Sequence, residues 1–206
     1  MRTRGLAVVG LVVLLSTSLA VPAWAESEMK IRFGAVYSTA TSDLTEGGQT
    51  IEAQPTTGFQ ASFEYRFSSL LGIEPALAFA NYDVDTMESG FPDLEIGEVD
   101  LTTFTANLNF HLLGESGIDL YVGPTVGYAF WGDLESALLA EKFPVKDDFI
   151  YGANIGVGVP FGQSGWGFSG ALNWLAAEAE LEDADPGDSP LGVDPLQVKV
   201  GVYYRF

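Results

Sequence analysis

GVDPLQVKVGVYYRF, Gly192–Phe206, ends the chain and decides how the rest is read. From Leu196 on, Leu196, Val198, Val200, Val202, Tyr204 and Phe206 are apolar, and they alternate with Gln197, Lys199, Gly201, Tyr203 and Arg205. A period of two belongs to a strand with one greasy face and one polar face. The segment has about the length a tilted strand needs to cross a bilayer. Its last residue is an outward aromatic, so Tyr204 and Phe206 are expected to act as a C-terminal assembly signal. An amphipathic strand of a soluble sheet has the same local pattern, and the rest of the chain must choose.

The N-terminus reads as targeting. Arg2 and Arg4 precede the apolar stretch Gly5–Leu19, and Ala23-Trp24-Ala25 is a small-x-small cleavage site. The expected division is a signal peptide over 1–25 and a single domain over 26–206. Cysteine is absent, so there is neither a lipid-anchor site nor a disulfide framework. The chain is 47 % apolar, yet after the signal no run of about eighteen apolar residues is left to form a membrane helix.

The alternation recurs seven more times. Strands are expected at Lys30–Ser38, Thr57–Phe67, Leu71–Tyr82, Asp100–Leu112, Ile118–Trp131, Phe149–Phe161 and Trp166–Ala177. The clearest is Thr57–Phe67, in which Phe59, Ala61, Phe63, Tyr65 and Phe67 oppose Gly58, Gln60, Ser62, Glu64 and Arg66. Short turns alternate strictly with long loops at Thr39–Thr56, Asp83–Val99, Gly132–Asp148 and Glu178–Asp194. LESALLAEKF, in the third loop, has the spacing of a short amphipathic rim helix. An even strand count with every long loop at one end is the layout of an outer-membrane barrel. The fold class is therefore all-β, an eight-stranded antiparallel up-and-down transmembrane barrel. Its closure would satisfy every backbone group within lipid.

Charge is sorted along this barrel. The formal net charge is −19, which argues against nucleic acid as a partner. Most cations after the signal, however, fall on inward faces. A lower-barrel plug is expected from Arg32, Glu64, Arg66, Glu74, His111, Asp119, Lys199 and Arg205, because a narrow barrel is packed with side chains and buried charges need partners. Toward the loop end the inward residues are small or apolar: Val36, Ala78, Ala80, Tyr82, Ala129, Trp131, Leu175 and Ala177. They read either as an apolar funnel or as simple filling of a taper. The acidic loops read either as solvated or as an edge that binds divalent cations against lipopolysaccharide phosphates.

Little catalytic chemistry is in view. His111 is the one histidine and is expected at the turn end, packed rather than catalytic. No His/Cys cluster suits zinc, and no cofactor is expected. Pro75, Pro124 and Pro160 interrupt strands, where each removes a ladder donor. Pro124, the most central, is either a tolerated irregularity or a possible lateral opening.

Thr103–Asp133, TFTANLNFHLLGESGIDLYVGPTVGYAFWGD, resembles the OmpW family of small outer-membrane proteins. Phe110-His111, the short turn and Tyr121-Val122-Gly123 through Tyr128 carry the resemblance, with Arg205-Phe206 at the end. Pro124 departs from the family's small-residue spacing, and the broader opacity and OmpA-like barrels share the general layout. The resemblance implies passive uptake of small hydrophobic molecules, a closed lower barrel and lateral exit into the membrane. The alternative is a structural or surface-interaction barrel acting through its acidic loops. Implied partners are outer-membrane lipid and lipopolysaccharide, a small hydrophobic solute, and the barrel-assembly machinery during biogenesis.

Overall fold

A computed structural model describes residues 27–40, 44–46, 49–88, 94–113, 117–136, 142–179, 191–192 and 194–206. The expected signal peptide and most of the fourth loop lie outside them. Eight strands form the wall: β1 (Glu28–Thr39), β2 (Thr56–Arg66), β3 (Leu71–Glu88), β4 (Leu94–His111), β5 (Asp119–Trp131), β6 (Asp148–Pro160), β7 (Trp166–Ala176) and β8 (Leu196–Arg205). Each pairs antiparallel with its sequence neighbour, and β1 pairs with β8, from Lys30 opposite Arg205 to Thr39 opposite Leu196. The barrel is closed and up-and-down, as the alternation predicts.

The two faces of the wall are inverted relative to a soluble protein. Phe33, Phe59, Phe79, Val126, Tyr151, Ile155, Trp174 and Val200 are exposed, while Glu64, Asn109, Thr125 and Gln197 are almost wholly buried. So large an apolar surface around a polar interior fits a hydrocarbon surrounding. Trp166, Tyr204 and Phe206 cluster at the turn end of β7 and β8, with neighbouring ring centroids 5.0–5.1 Å apart.

Turn chemistry fixes the short connections. Ser68 Oγ accepts hydrogen bonds from the backbone N–H groups of Leu70 and Leu71. Gly162 and Gly165 carry the β6–β7 turn at φ 62° and 78°, a region that side chains disfavour.

Three expectations need correction at the loop end. The second loop, expected over Asp83–Val99, is mostly wall, because β3 runs to Glu88 and β4 starts at Leu94. The alternation continues there with its polarity reversed. Val84 and Val99 are buried inside, and Asp83 and Glu98 face out, as suits a strand that has left the bilayer for water. The first loop likewise contains paired segments, Leu44–Glu46 with Gln49–Ala53, and the latter continues onto β3. In place of the expected rim helix, Leu134–Ser136 makes a β pairing with Lys142–Phe143, docked on Gly97 and Glu98. Leu134 packs against the interior apolar cluster, and the tall β4 edge offers backbone partners that a helix would leave unpaired.

Candidate functional site

The interior is layered along the barrel axis. At the turn end, inward residues of β1–β5 form one ion-paired network. Glu64 accepts from Arg32 Nη2 at 2.6 Å and Asn109 Nδ2 at 2.9 Å, and faces His111 Nε2 at 2.9 Å. Glu74 faces Arg32 Nη1 at 3.1 Å and takes further hydrogen bonds from Ser62 Oγ and Asn109 Nδ2. Asp119 accepts from Lys30 Nζ at 2.7 Å, lies 3.4 Å from Arg66 Nη2, and faces His111 Nδ1 at 2.7 Å. Both nitrogens of His111 thus face carboxylate oxygens, an arrangement that the doubly protonated ring satisfies. Arg32 also lies over the Tyr121 ring, 5.3 Å from its centroid.

Of the eight residues expected in the plug, Arg32, Glu64, Arg66, Glu74, His111 and Asp119 share this network. Arg205 does not: its side chain is 39 % exposed and reaches only Glu28, at 3.7 Å. It lies at the barrel mouth rather than inside. Lys199 is buried but higher, apart from the ion pairs. Sequence reading missed Glu28, which binds Lys30 at 2.8 Å and Arg66 at 3.7 Å. The signal was present, since Glu28 is two residues before Lys30 and so on the same face, but the strand was started too late.

Above the network is a polar waist. Asn154 Nδ2 donates to Thr125 Oγ1, which donates to Asn107 Oδ1 at 2.6 Å. A cavity of about 20 Å³ opens here among Arg32, Glu74, Tyr121, Asn154, Asn173 and Lys199. That is room for a molecule or two of water size.

Above the waist the interior turns apolar. Of the residues expected to line this part, Val36, Ala78, Tyr82, Ala129, Trp131, Leu175 and Ala177 are buried, and Ala80 is partly buried. Tyr82, Ala129, Trp131, Leu175 and Ala177 pack with Ile150, Leu101, Val84 and Val99 into one cluster. The side chains meet one another across the barrel, and Tyr82 Oη is hydrogen-bonded to Ser38 Oγ. Ile150 has the inward parity of Gly152 and Asn154 and was readable in the sequence. Val84 and Val99 were hidden by their assignment to a loop.

Pro124 leaves the β4–β5 register unchanged. Asn107 opposes Thr125 and Phe110 opposes Val122, but the rungs between them, Leu108–Pro124 and Asn109–Gly123, are absent. A proline nitrogen has no hydrogen for the Leu108 carbonyl. On its other edge Pro124 still opposes Ala153. Pro75 makes the same gap between β2 and β3, where pairing resumes from Ser62–Ala76 to Tyr65–Ile73. Pairing resumes in the same register on both sides of each gap.

A family model described as the outer membrane protein beta-barrel domain matches residues 11–206. The chain belongs to that family. This outer-membrane barrel therefore lies in the bacterial outer membrane, in contact with its lipid and lipopolysaccharide, with its short turns toward the periplasm and its tall hairpins outward. OprG from Pseudomonas aeruginosa is similar in fold: 19 % identity, 87 % of this chain and 96 % of that one, TM-score 0.75. So are AlkL in lipid bilayers, at 19 % identity, 90 % and 93 % coverage and TM-score 0.57, and a major outer membrane protein from Thermus thermophilus, at 15 %, 87 % and 99 %, and 0.56. OprG and AlkL are small eight-stranded barrels of the OmpW-like type, in agreement with the resemblance carried by Thr103–Asp133. No curated protein matches the chain in sequence.

Proposed function

We propose that the barrel passes small hydrophobic molecules inward across the outer leaflet without an energy source. Solute enters from the loop end among Val36, Ala78, Ala80, Tyr82, Ala129, Trp131, Leu175 and Ala177, and the ion-paired network below stops it. It then leaves sideways into the membrane above the waist, with the rung missing at Pro124 loosening the wall beneath that path. The reading rests on one observation: within a single closed barrel the interior is apolar above and ionic below. An apolar solute gains by displacing water from the first region. It has nothing to offer the second, where removing a partner from a buried pair costs several kcal/mol, roughly 3–5. The upper cluster is held by van der Waals contact rather than ion pairing, so it opens to a solute at lower cost than the plug.

The test is influx of an apolar fluorescent dye into intact cells, whose lipopolysaccharide leaflet is the barrier. Ala129→Lys places a charge in the upper interior and is expected to reduce influx to that of cells lacking the barrel, with heat-modifiable gel migration retained. Unchanged influx in a folded variant sinks the uptake reading. It would favour the surface-interaction alternative, in which shortening the 89–93 connection, and not interior substitution, alters cell adhesion or envelope integrity.

A further inference from the structure

Lys199 is the cation that the plug does not explain. Its side chain is buried and it lines the waist cavity, yet it has no hydrogen-bond or ion-pair partner among the described residues. Its cross-strand neighbours are Val36 on β1 and Ala171 on β7, neither of which has a side-chain acceptor to give. Glu74 is the carboxylate whose field reaches it, but the oxygens of Glu74 are already engaged by Arg32, Ser62 and Asn109.

The charge count points the same way. The buried and near-buried carboxylates are Glu28, Glu64, Glu74 and Asp119, and they are matched by Lys30, Arg32, Arg66 and a doubly protonated His111. Lys199 is left over. Its ammonium opens on the waist cavity, and a charge inside the barrel with no opposite charge paired to it is costly. The same cavity holds a second unused donor, since Asn173 Nδ2 is buried without a hydrogen-bond partner. Asn154 Oδ1, also without a partner, can take a hydrogen from an accompanying water. The cavity of about 20 Å³ admits a sphere near the size of water and has no room for a phosphate.

We propose that Lys199 and Asn173 hold a monovalent anion of halide size in the waist of the barrel, as the counter-charge that the described residues do not supply. The site goes beyond uptake of apolar solute, and its test does not depend on uptake.

Crystals of the signal-cleaved barrel soaked in sodium bromide are expected to give an anomalous peak within hydrogen-bond distance of both Lys199 Nζ and Asn173 Nδ2. Lys199→Met removes the charge and should lose the peak. Should that variant fail to fold, Asn173→Asp carries the test, because it builds a carboxylate into the cavity in place of the ion. It is expected to fold, show heat-modifiable migration and bind no bromide. Replacing chloride with gluconate at constant ionic strength should lower the unfolding temperature of the parent barrel and leave that of Asn173→Asp unmoved. Only water beside Lys199 in the bromide-soaked parent crystal, or a bromide peak that persists in Asn173→Asp, overturns the proposal.

Discussion

Glu64→Ala removes the carboxylate that ties the ion-paired network together. Glu64 is fully buried and holds Arg32 at 2.6 Å, His111 at 2.9 Å and Asn109 at 2.9 Å. Each of these keeps a second acceptor. Arg32 retains Glu74 at 3.1 Å, His111 retains Asp119 at 2.7 Å, and Asn109 retains Glu74 at 2.8 Å. Breaking a buried pair costs roughly 3–5 kcal/mol when the surviving charge is stranded. Because these partners are only half stranded, the expected loss is at the lower end, about 3 kcal/mol, or two decades in the unfolding equilibrium. The paired change Arg32→Met with Glu64→Leu removes both charges and frees Glu74 toward Lys199. It should cost well under the sum of the two single changes. Urea unfolding in detergent, followed by tryptophan fluorescence and by heat-modifiable migration, measures all of these variants. A loss below about 1 kcal/mol for Glu64→Ala, or strict additivity in the double variant, refutes the view of the plug as a cooperative ionic network.

Other expectations follow from single positions. A Cβ on Gly156 would overlap the Tyr121 ring, whereas one on Gly158 meets Tyr203 no closer than 3.3 Å. Gly156→Ala should therefore cost about 1–3 kcal/mol of overpacking and Gly158→Ala clearly less, by the same unfolding assay. Val200→Arg puts a charge on the lipid face in mid-strand, and about 2–4 kcal/mol should be lost in refolding titrations into bilayers. Pro124→Ala restores a donor opposite Leu108 and should stabilise the barrel by about 1 kcal/mol, with slower dye influx because the β4–β5 pairing stiffens. Phe206→Ser should lower the amount of assembled barrel in cells while refolding of the purified chain is unaltered; equal assembly in cells would remove Phe206 from the assembly signal.

The wall was legible because its physics is local. A strand between lipid and a packed lumen must alternate, and Thr57–Phe67 and Leu196–Phe206 do so almost without exception. The ion pairing was legible for a related reason: parity alone places Arg32, Glu64, Glu74 and Asp119 inside, and so few cations leave few ways to pair them. Parity gives no height or reach, however. It could not separate Arg205, at the mouth, from Arg66, inside the network, nor show that Lys199 sits above the ion-paired carboxylates. The tall hairpin was missed because the sign of the alternation changes. At Asp83-Val84-Asp85 the apolar residue points in and the acids point out, and a reading tuned to greasy exteriors takes this for a loop. The rim strands were missed because Leu134–Ser136 owes its conformation to the β4 edge at Gly97–Glu98, which periodicity cannot foresee.

The two faces of the wall change polarity at different heights, and this bears on where an apolar solute could leave. Along β3 the inward series runs Glu74, Ala76, Ala78, and the outward series Ile73, Pro75, Leu77, Phe79, Asn81. Inside, polar gives way to apolar just above Glu74. Outside, apolar gives way to polar only at Asn81, which bonds Asp100 at 2.9 Å. Between those heights, around Ala76–Phe79, β3 itself is apolar on both faces, with Ser62, Thr103 and Thr105 beside it on the inner side. Pro124 is lower: the inward residues level with it are Asn107, Asn109, Thr125 and Asn154, the polar waist. Leaving through its missing rung would carry an apolar molecule past hydrogen-bonded amides, at the desolvation cost that such groups impose. A sideways path that spares the waist must cross the wall above Pro124, where β3 offers small apolar side chains inside and apolar ones outside. On the proposed path the missing rung would act by loosening the β4–β5 pairing beneath it, and Pro124→Ala and Ala78→Asp should slow influx for different reasons: the first by stiffening the wall, the second by making the interior at the exit height polar.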